Sequence, residues 1–201
     1  MYGHVESEEQ KARHIAYIRD IQKATQGFTE FVPLGFIHTE APMHSHHLVD
    51  RVRSGPTGTE TVKLHAISRL MLNNWIPNLQ VSWVKEGIKF GQYMLATGVN
   101  DMGGTLMNES ISTSAGAQHG QLARPSELRS VIRSAGRIPA ERHTNYKVRH
   151  VFEDGDHHMD PLDLMEGDPE TRFGSYHSLV KMDTFRFHHP KGARLEQPQT
   201  Q

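Results

Sequence analysis

The sequence predicts an α/β protein that forms part of a (β/α) TIM-type barrel, and three observations lead to this prediction. Helical and strand patterns alternate along residues 1–150, which is the order that parallel βα units produce. About three units are visible, whereas a complete barrel needs about 250 residues, and the chain has 201. The chain also opens with MYGHVE directly before a helical pattern, where a strand should end. We therefore predict the C-terminal part of a barrel over 1–150, and an acidic loop with a polar C-terminal extension over 151–201.

Four helices are predicted from their end signals and apolar spacing. Ser7 and Gln10 match a capping box at the start of the first helix, and Gly27 is a plausible stop. Pro125 suits the first turn of the last helix, which we expect to end at Gly136. The two helices between them are expected at about 59–72 and 85–97, with apolar stripes of Leu64, Ile67 and Met71 in one and Ile88, Tyr93 and Leu95 in the other.

Strands are predicted at 28–37, at about 78–84 and at 99–107. In the stretch NLQVSWVKEG, Leu79, Val81 and Trp83 alternate with Gln80 and Ser82. This period of two gives the strand one apolar face and one polar face.

Composition excludes several classes of function. The net charge of −1 is too small to indicate nucleic-acid binding, although residues 151–170 hold eight acidic residues and no lysine or arginine. No apolar run approaches the roughly 20 residues of a membrane helix, and the N-terminus does not resemble a signal peptide. The chain has no cysteine, which excludes disulfides, thiol catalysis and thiolate-held clusters for this chain alone. We expect a soluble cytoplasmic protein.

Candidate functional residues follow from the barrel prediction, because function collects at the C-terminal ends of barrel strands. Gln80 and Ser82 would face the cavity there, although an ordinary half-polar strand exposed to solvent explains them equally well. His4 and Glu6 would share one face of a strand and point at a ligand. The alternative is a loop in which Glu6 only favours the following helix N-terminus.

Two further groups of residues have weaker signals. Gly103 and Gly104, followed by Thr105, allow the backbone to approach a ligand closely, and Glu109 lies just beyond them. The histidines at 44, 46, 47, 157 and 158 suggest a metal site, but they match no known zinc spacing, and exposed polar loops explain them better.

Four stretches carry a specific resemblance that runs in order through about residues 1–150. They are TEFVPLGFIHTEAPM, IPNLQVSWVKEG, GVNDMGGTLMNESISTSAGAQHGQ and AGRIPAERHTNY. The chain resembles the CofH family of radical S-adenosylmethionine (radical SAM) enzymes, subunit 2 of FO synthase. The MqnE and MqnC relatives share its general layout.

The resemblance implies a radical SAM barrel in which a CxxxCxxC loop holds a [4Fe-4S] cluster. The cluster cleaves S-adenosyl-L-methionine to a 5'-deoxyadenosyl radical, and the enzyme joins the 4-hydroxybenzyl group of L-tyrosine to a ribityl-aminouracil in deazaflavin biosynthesis. Because this chain has no cysteine, we expect it to supply substrate-binding walls and to be inactive without the cluster-binding half.

The resemblance also assigns residues to the barrel cavity. It places His4 in the cavity, where we choose it as the proton acceptor for the tyrosine amine or phenol. It also implies that the following residues bind substrate or cofactor: Tyr2, Glu6, Gln80, Ser82, Trp83, Asn100, Gly103, Gly104, Thr105 and Glu109.

Two other functions stay open on the sequence, a cluster-free protein that binds a small ligand and a histidine-metal hydrolase. An incomplete barrel leaves strand edges unpaired, so we expect either an N-terminal half-barrel chain as partner or self-association. No nucleic acid or membrane is expected as a partner.

Overall fold

The computed structural model describes residues 1–107, 109–156, 158–179 and 181–185, and its architecture is mixed α/β. Its strands are β1 (Glu30–Phe31), β2 (Asn78–Leu79), β3 (Ala140–Arg142) and β4 (Val148–Val151). Its helices are α1 (Glu8–Thr25), α2 (Pro42–Ser45), α3 (Gly58–Leu72), α4 (Trp83–Glu86), α5 (Ile88–Met94), α6 (Ile111–Ser114), α7 (Pro125–Ser134), α8 (Pro169–Phe173) and α9 (Tyr176–Leu179), and a short 3₁₀ turn spans Asp183–Phe185.

Four short segments run parallel and lie side by side in the order of the chain. β1 pairs with β2, Tyr2 pairs with Gly35 on one side, and Gln80 pairs with Asp101 on the other. Consecutive βα units give this order, so the α/β prediction is confirmed. No pairing within the described ranges joins the two outer segments, and a closed barrel is not shown.

The strands are much shorter than the sequence predicts. The strand expected at 28–37 is reduced to β1 and the pairing at Gly35, because Pro33 between them has no N–H to donate to a ladder. The strand expected at 99–107 is reduced to the pairing at Asp101, after which the chain turns through Gly103 with φ +80°.

One face of this sheet is covered by helices. Leu79, Val81 and Trp83 are almost completely buried and pack with residues of α5 and α7, among them Met94 and Leu128. A second cluster joins α1 to α3 and to the segment before β2, through Ile15, Leu72 and Ile76. α1, α3, α5 and α7 therefore lie on one side of the sheet, and the polar residues of β2 and its continuation face the other side.

α1 begins as predicted. The Ser7 hydroxyl accepts a hydrogen bond from the Gln10 amide at 3.2 Å, and the Gln10 side chain accepts one from the Ser7 amide at 2.8 Å. The helix ends at Thr25, one residue earlier than a Gly27 stop implies, because Gln26 adopts the left-handed conformation with φ +54°.

The predicted apolar stripe of α3 is confirmed at Leu64 and Met71, which pack against the second cluster, and is wrong at Ile67. Ile67 is 47% exposed, and the side of α3 with the fully buried positions carries mostly small or polar residues, with Thr61, His65 and Ser68 all at 1% exposure or less. Small polar side chains allow the helix to lie close to the sheet, and apolar spacing alone does not reveal such a face.

The helix predicted over 85–97 is interrupted. It is divided into α4 and α5 at Gly87, whose φ of +83° and ψ of +150° lie outside the helical region. Tyr93 of α5 is 58% exposed, and the buried positions of this helix are Gly91 and Met94. None of the helices in the described part of the chain has the length and apolar character needed to cross a bilayer.

The structure after residue 135 contains a hairpin that the sequence pattern did not indicate. β3 pairs antiparallel with β4, and the acidic stretch that follows returns to α7, where Arg129 forms an ion pair with Asp163 at 2.8 Å. Phe152 and Met165 are buried, so part of this stretch is packed and not a solvated loop. The domain boundary at 150 stays a prediction.

We expect the stability of the fold to decrease as the pH falls below about 6.5, the ordinary histidine pKa, because of His65. Its ring is fully buried and its Nδ1 lies 2.8 Å from the Thr61 carbonyl oxygen. Burial lowers the pKa of His65, and its backbone contacts oppose this only in part. The unfolded chain therefore binds a proton that the folded chain resists.

Urea unfolding between pH 5 and pH 7.5 measures this effect. His65→Leu should flatten the dependence of the unfolding free energy on pH, whereas His14→Gln, at an exposed position of α1, should keep the wild-type slope. Equal slopes in all three proteins would show that His65 does not control acid stability.

Candidate functional site

The candidate site lies where the parallel segments end. His4 follows the Tyr2 segment, Ser82 follows β2, and the loop 103–105 follows the Asp101 segment. Because the carboxyl ends of neighbouring parallel strands meet at one edge of a sheet, these groups share that edge.

His4 and Glu6 form a tight local unit. The Glu6 carboxylate accepts hydrogen bonds from the amides of Gly3, His4 and Val5 at 2.5 to 3.2 Å, and it lies 2.5 Å from His4 Nδ1. Burial by itself raises the pKa of Glu6, but the bonds from the Gly3 amide and its neighbours outweigh burial and lower the pKa to about 2. An ionised Glu6 fixes the proton of a neutral His4 on Nδ1, which leaves Nε2 as the proton acceptor.

Tyr2 points away from this unit. Its hydroxyl donates to Thr61 Oγ1 of α3 at 2.9 Å, and the side chain is 3% exposed. Burial, followed by the nearby Glu86 carboxylate, raises the pKa of Tyr2. The structure thus places the Tyr2 side chain between the sheet and α3, and not on the polar face of the sheet, opposite the helices.

Gln80 continues β2 by its pairing with Asp101, and Ser82 lies two residues further on, where α4 begins, so the strand predicted to about 84 ends earlier. Both are half-buried. Within the described part of the chain, neither the Ser82 hydroxyl nor the Gln80 side-chain N–H₂ group forms a hydrogen bond. These groups are therefore available to a ligand.

Trp83 belongs to the core and also supports the site. Its ring is 1% exposed, and its Nε1 donates to the Gly104 carbonyl oxygen at 2.8 Å. Two more bonds fix the same loop: Asp101 accepts from the Gly103 amide at 2.7 Å, and the Thr105 carbonyl accepts from the Ala123 amide at 2.9 Å. The predicted loop 103–105 is thus held at each of its three residues.

Asn100 is not brought to the site. Its Oδ1 accepts from the Leu79 amide at 2.9 Å and from Arg69 at 2.7 Å, and its Nδ2 donates to the Pro77 carbonyl at 3.2 Å. These partners surround the beginning of β2, so Asn100 lies at the opposite end of the strand from Ser82.

Glu109 accepts hydrogen bonds from a backbone amide in the first turn of α6. It also opposes the effect of burial on the pKa of Lys85, a residue that the sequence patterns did not indicate. Both carboxylate oxygens lie 3.0 Å from the Ser112 amide. Lys85 of α4 is half-buried, and burial lowers its pKa while Glu109 and then Glu86 oppose this. Burial raises the pKa of Glu86, and Lys85 opposes that change. Lys85 and Glu86 are polar positions on a short helix, which apolar spacing cannot identify as a site.

Arg142 is the other residue that the sequence analysis did not select. From β3 it forms an ion pair with Asp101, with Arg142 Nη2 at 3.1 Å from Asp101 Oδ1. The same Nη2 lies 3.5 Å from Gln80 Oε1. Along the chain Arg142 lies 41 positions from Asp101 and 62 positions from Gln80, so no local sequence pattern links them.

The histidine groups do not form a metal centre in the described part of the chain, where no cluster of three histidine or carboxylate side chains suits a metal ion. His44 packs edge-on against His38 with ring centroids 4.8 Å apart. His158 lines a surface groove of about 510 Å³ beside α7, together with Arg129 and Arg133. His157 lies outside the described residues.

Comparison with known proteins decides the family. The profile of the CofH/MqnC C-terminal region matches residues 25–155. The chain belongs to this family. The resemblance inferred from the sequence is thereby confirmed.

Three relatives are each named a 5-amino-6-(D-ribitylamino)uracil–L-tyrosine 4-hydroxyphenyl transferase. The one from Methanothermobacter thermautotrophicus is 50% identical over 147 residues, 73% of this chain and 39% of the relative. The one from Methanosarcina mazei is 49% identical over 150 residues, 75% and 40% of the two chains. The one from Methanococcus maripaludis is 47% identical over 148 residues, 74% and 40%. The chain spans about two-fifths of the length of these relatives.

We expect Gly103→Ala and Gly104→Ala to differ in their effect on folding. An alanine at 103 must adopt φ +80° and place its Cβ 3.2 Å from the Gln80 amide, which should cost about 1–2 kcal/mol. No atom lies within 4 Å of a Cβ at 104, so that change should stay within about 0.5 kcal/mol. Urea unfolding measures both values, and equal losses would contradict the described loop geometry.

Proposed function

We propose that this chain forms the substrate-binding part of a radical SAM transferase. The enzyme would join the 4-hydroxybenzyl group of L-tyrosine to a ribityl-aminouracil in deazaflavin coenzyme biosynthesis. The cluster-binding cysteines would lie on polypeptide outside these 201 residues, whether on the same chain or on a partner chain. A cytoplasmic location remains a prediction from composition.

Family membership carries this proposal. The chain is 47% and 50% identical, over 148 and 147 residues, to two relatives whose names contain ribitylaminouracil and L-tyrosine. The match includes the stretches around β2 and the loop 103–105, which supply the polar groups of the candidate site.

The residues of this chain do not fit the family's iron–sulfur cluster. A [4Fe-4S] cluster is held by cysteine thiolates, and the chain has none. These residues therefore take no part in holding the cluster. Their contribution in the proposal is to bind and orient the two substrates and the adenosyl part of S-adenosyl-L-methionine.

The polar inner face supports a substrate-binding role. Gln80 offers its side-chain N–H₂ group and Ser82 its hydroxyl, and no described residue forms a hydrogen bond with either, while Arg142 contacts the Gln80 oxygen. Next to them, Gly104 is exposed, with open space beside its Cα. A flat, polar ring such as a uracil can approach a glycine backbone of this kind closely. We assign Gln80, Ser82, Gly103, Gly104 and Thr105 to this wall.

His4 fits the role of proton acceptor. Glu6 holds the Nδ1 proton, and His4 Nε2 has no hydrogen-bond partner within the described ranges. The side chain is 19% exposed, so a substrate amine or phenol can reach it.

Co-expression with a polypeptide that carries the CxxxCxxC half tests the function. After anaerobic reconstitution, the complex should form 5'-deoxyadenosine and the tyrosine–uracil product, and each part alone should form neither. This chain alone should show no absorbance band near about 400 nm from thiolate-bound iron. A complex that holds its cluster and cleaves S-adenosyl-L-methionine but forms no product would contradict the proposed function.

His4→Gln tests the proton acceptor in the same complex. Loss of a positioned general base should lower the turnover number about 10²–10⁴-fold, with little change in thermal stability. His14→Gln, on the exposed side of α1, is the matched control and should keep full turnover. A His4→Gln complex with wild-type turnover would remove His4 from the mechanism.

A further inference from the structure

A network of charged and polar side chains connects the β3–β4 hairpin to the candidate site. Asp101 is its centre, and the side chain is only 9% exposed. Its carboxylate binds the Arg142 guanidinium at two nitrogens and also accepts from the Gly103 amide at 2.7 Å. A buried carboxylate of this kind requires a cation to compensate its charge, and among the described residues Arg142 supplies it.

The position of Arg142 is fixed from its other side as well. The guanidinium lies over the ring of Tyr146 at 4.0 Å, a cation–π contact. The Tyr146 hydroxyl in turn donates to the carboxylate of Glu30 in β1. The hairpin therefore places Arg142 across the β2 segment, between the Asp101 segment and β1, on the face opposite the helices.

This arrangement determines which way the Gln80 amide points. Gln80 Oε1 faces Arg142 Nη2 at 3.5 Å, since a guanidinium can only donate. The Nε2 end is the part of the amide closest to Gly103, 3.2 Å from the place where a Cβ would stand. Gln80 therefore presents N–H donors, and not its oxygen, beside the loop 103–105.

We propose that Arg142 is a positioning residue that holds Gln80 as a donor for an acceptor oxygen of the ligand and, through Asp101, holds the Gly103 amide in place. Under the proposed function, on which the ligand's identity rests, the acceptor is a carbonyl of the ribityl-aminouracil or the carboxylate of L-tyrosine. Both are oxygen acceptors, and kinetics with each substrate distinguish them.

Gln80→Glu tests whether Gln80 donates a hydrogen bond to the ligand or only supports the fold. The new carboxylate keeps the contact with Arg142 but shares that cation with Asp101, so a urea unfolding curve accompanies the kinetics to show that the variant folds. The carboxylate has no N–H to give, however, and it repels an acceptor oxygen. In the complex with the cluster-bearing polypeptide, KM should rise about tenfold or more for the substrate bound at Gln80, the effect of losing one ligand hydrogen bond. KM for the other substrate should not change.

Arg142→Lys provides the second variant, since it keeps the charge and loses the planar fork that reaches Asp101 and Gln80 together. In the isolated chain, NMR signals of the Gly103 amide and the Gln80 side-chain N–H₂ should shift, and the same KM should rise. The matched control is Arg149→Lys in β4, whose side chain is 62% exposed and pairs with Glu141, and it should change neither.

The outcomes are distinct. Unchanged Gly103 and Gln80 signals in Arg142→Lys would overturn the inference whatever the enzyme assay shows. A wild-type KM in Gln80→Glu for both substrates would also overturn it. Shifted signals together with a complex that uses neither substrate would contradict the proposed function and the assignment of the ligand, while the orientation of Gln80 by Arg142 would stand.

Discussion

The burial of one face of the central strand is the constraint on which the rest of the structure depends. Leu79, Val81 and Trp83 are 1%, 0% and 1% exposed, and each such side chain contributes about 1.5–3 kcal/mol when it leaves water. A shift of one residue along the strand would turn Leu79 and Val81 into solvent. The register is therefore fixed, and Gln80 and Ser82 must lie on the opposite face.

That opposite face is polar, and its stability depends on pairing. Asp101 is nearly buried beside the Gly103 amide, and a carboxylate there without a cation would be strongly unfavourable. The β3–β4 hairpin brings Arg142 to Asp101 across the sheet. The polar face therefore depends on the hairpin for the cation that compensates its carboxylate. The helices stabilise one face by apolar contact, and the hairpin stabilises the other by charge.

Local sequence signals predicted the helix ends better than the strands or the long-range contacts. The capping box at Ser7 and the Pro125 start are determined by neighbouring residues, and both are seen. The break at Gly87 was missed because a single glycine is often tolerated in a helix. The hairpin was missed because the residues of β4 are all exposed and show no alternation.

The candidate site was predicted only in part, for a related reason. Gln80, Ser82 and the loop 103–105 were found because strand alternation and glycine pairs are local patterns. Asn100 was selected by resemblance, yet its side chain forms hydrogen bonds with the backbone at the start of β2 and does not reach the site. Arg142 and its contact with Asp101 depend on residues far apart in the chain, and no spacing within one segment indicates such a pair.

The bond from the Trp83 indole to the Gly104 carbonyl has an optical consequence. The chain has two tryptophans, and the other, Trp75, is partly exposed in the segment before β2, with Lys23 over its ring. The emission of the buried ring is therefore separable from that of the exposed one, and it responds to the polarity and motion of the carbonyl it touches. The Trp83 part of the intrinsic fluorescence of this protein thus monitors the loop 103–105, with no added label.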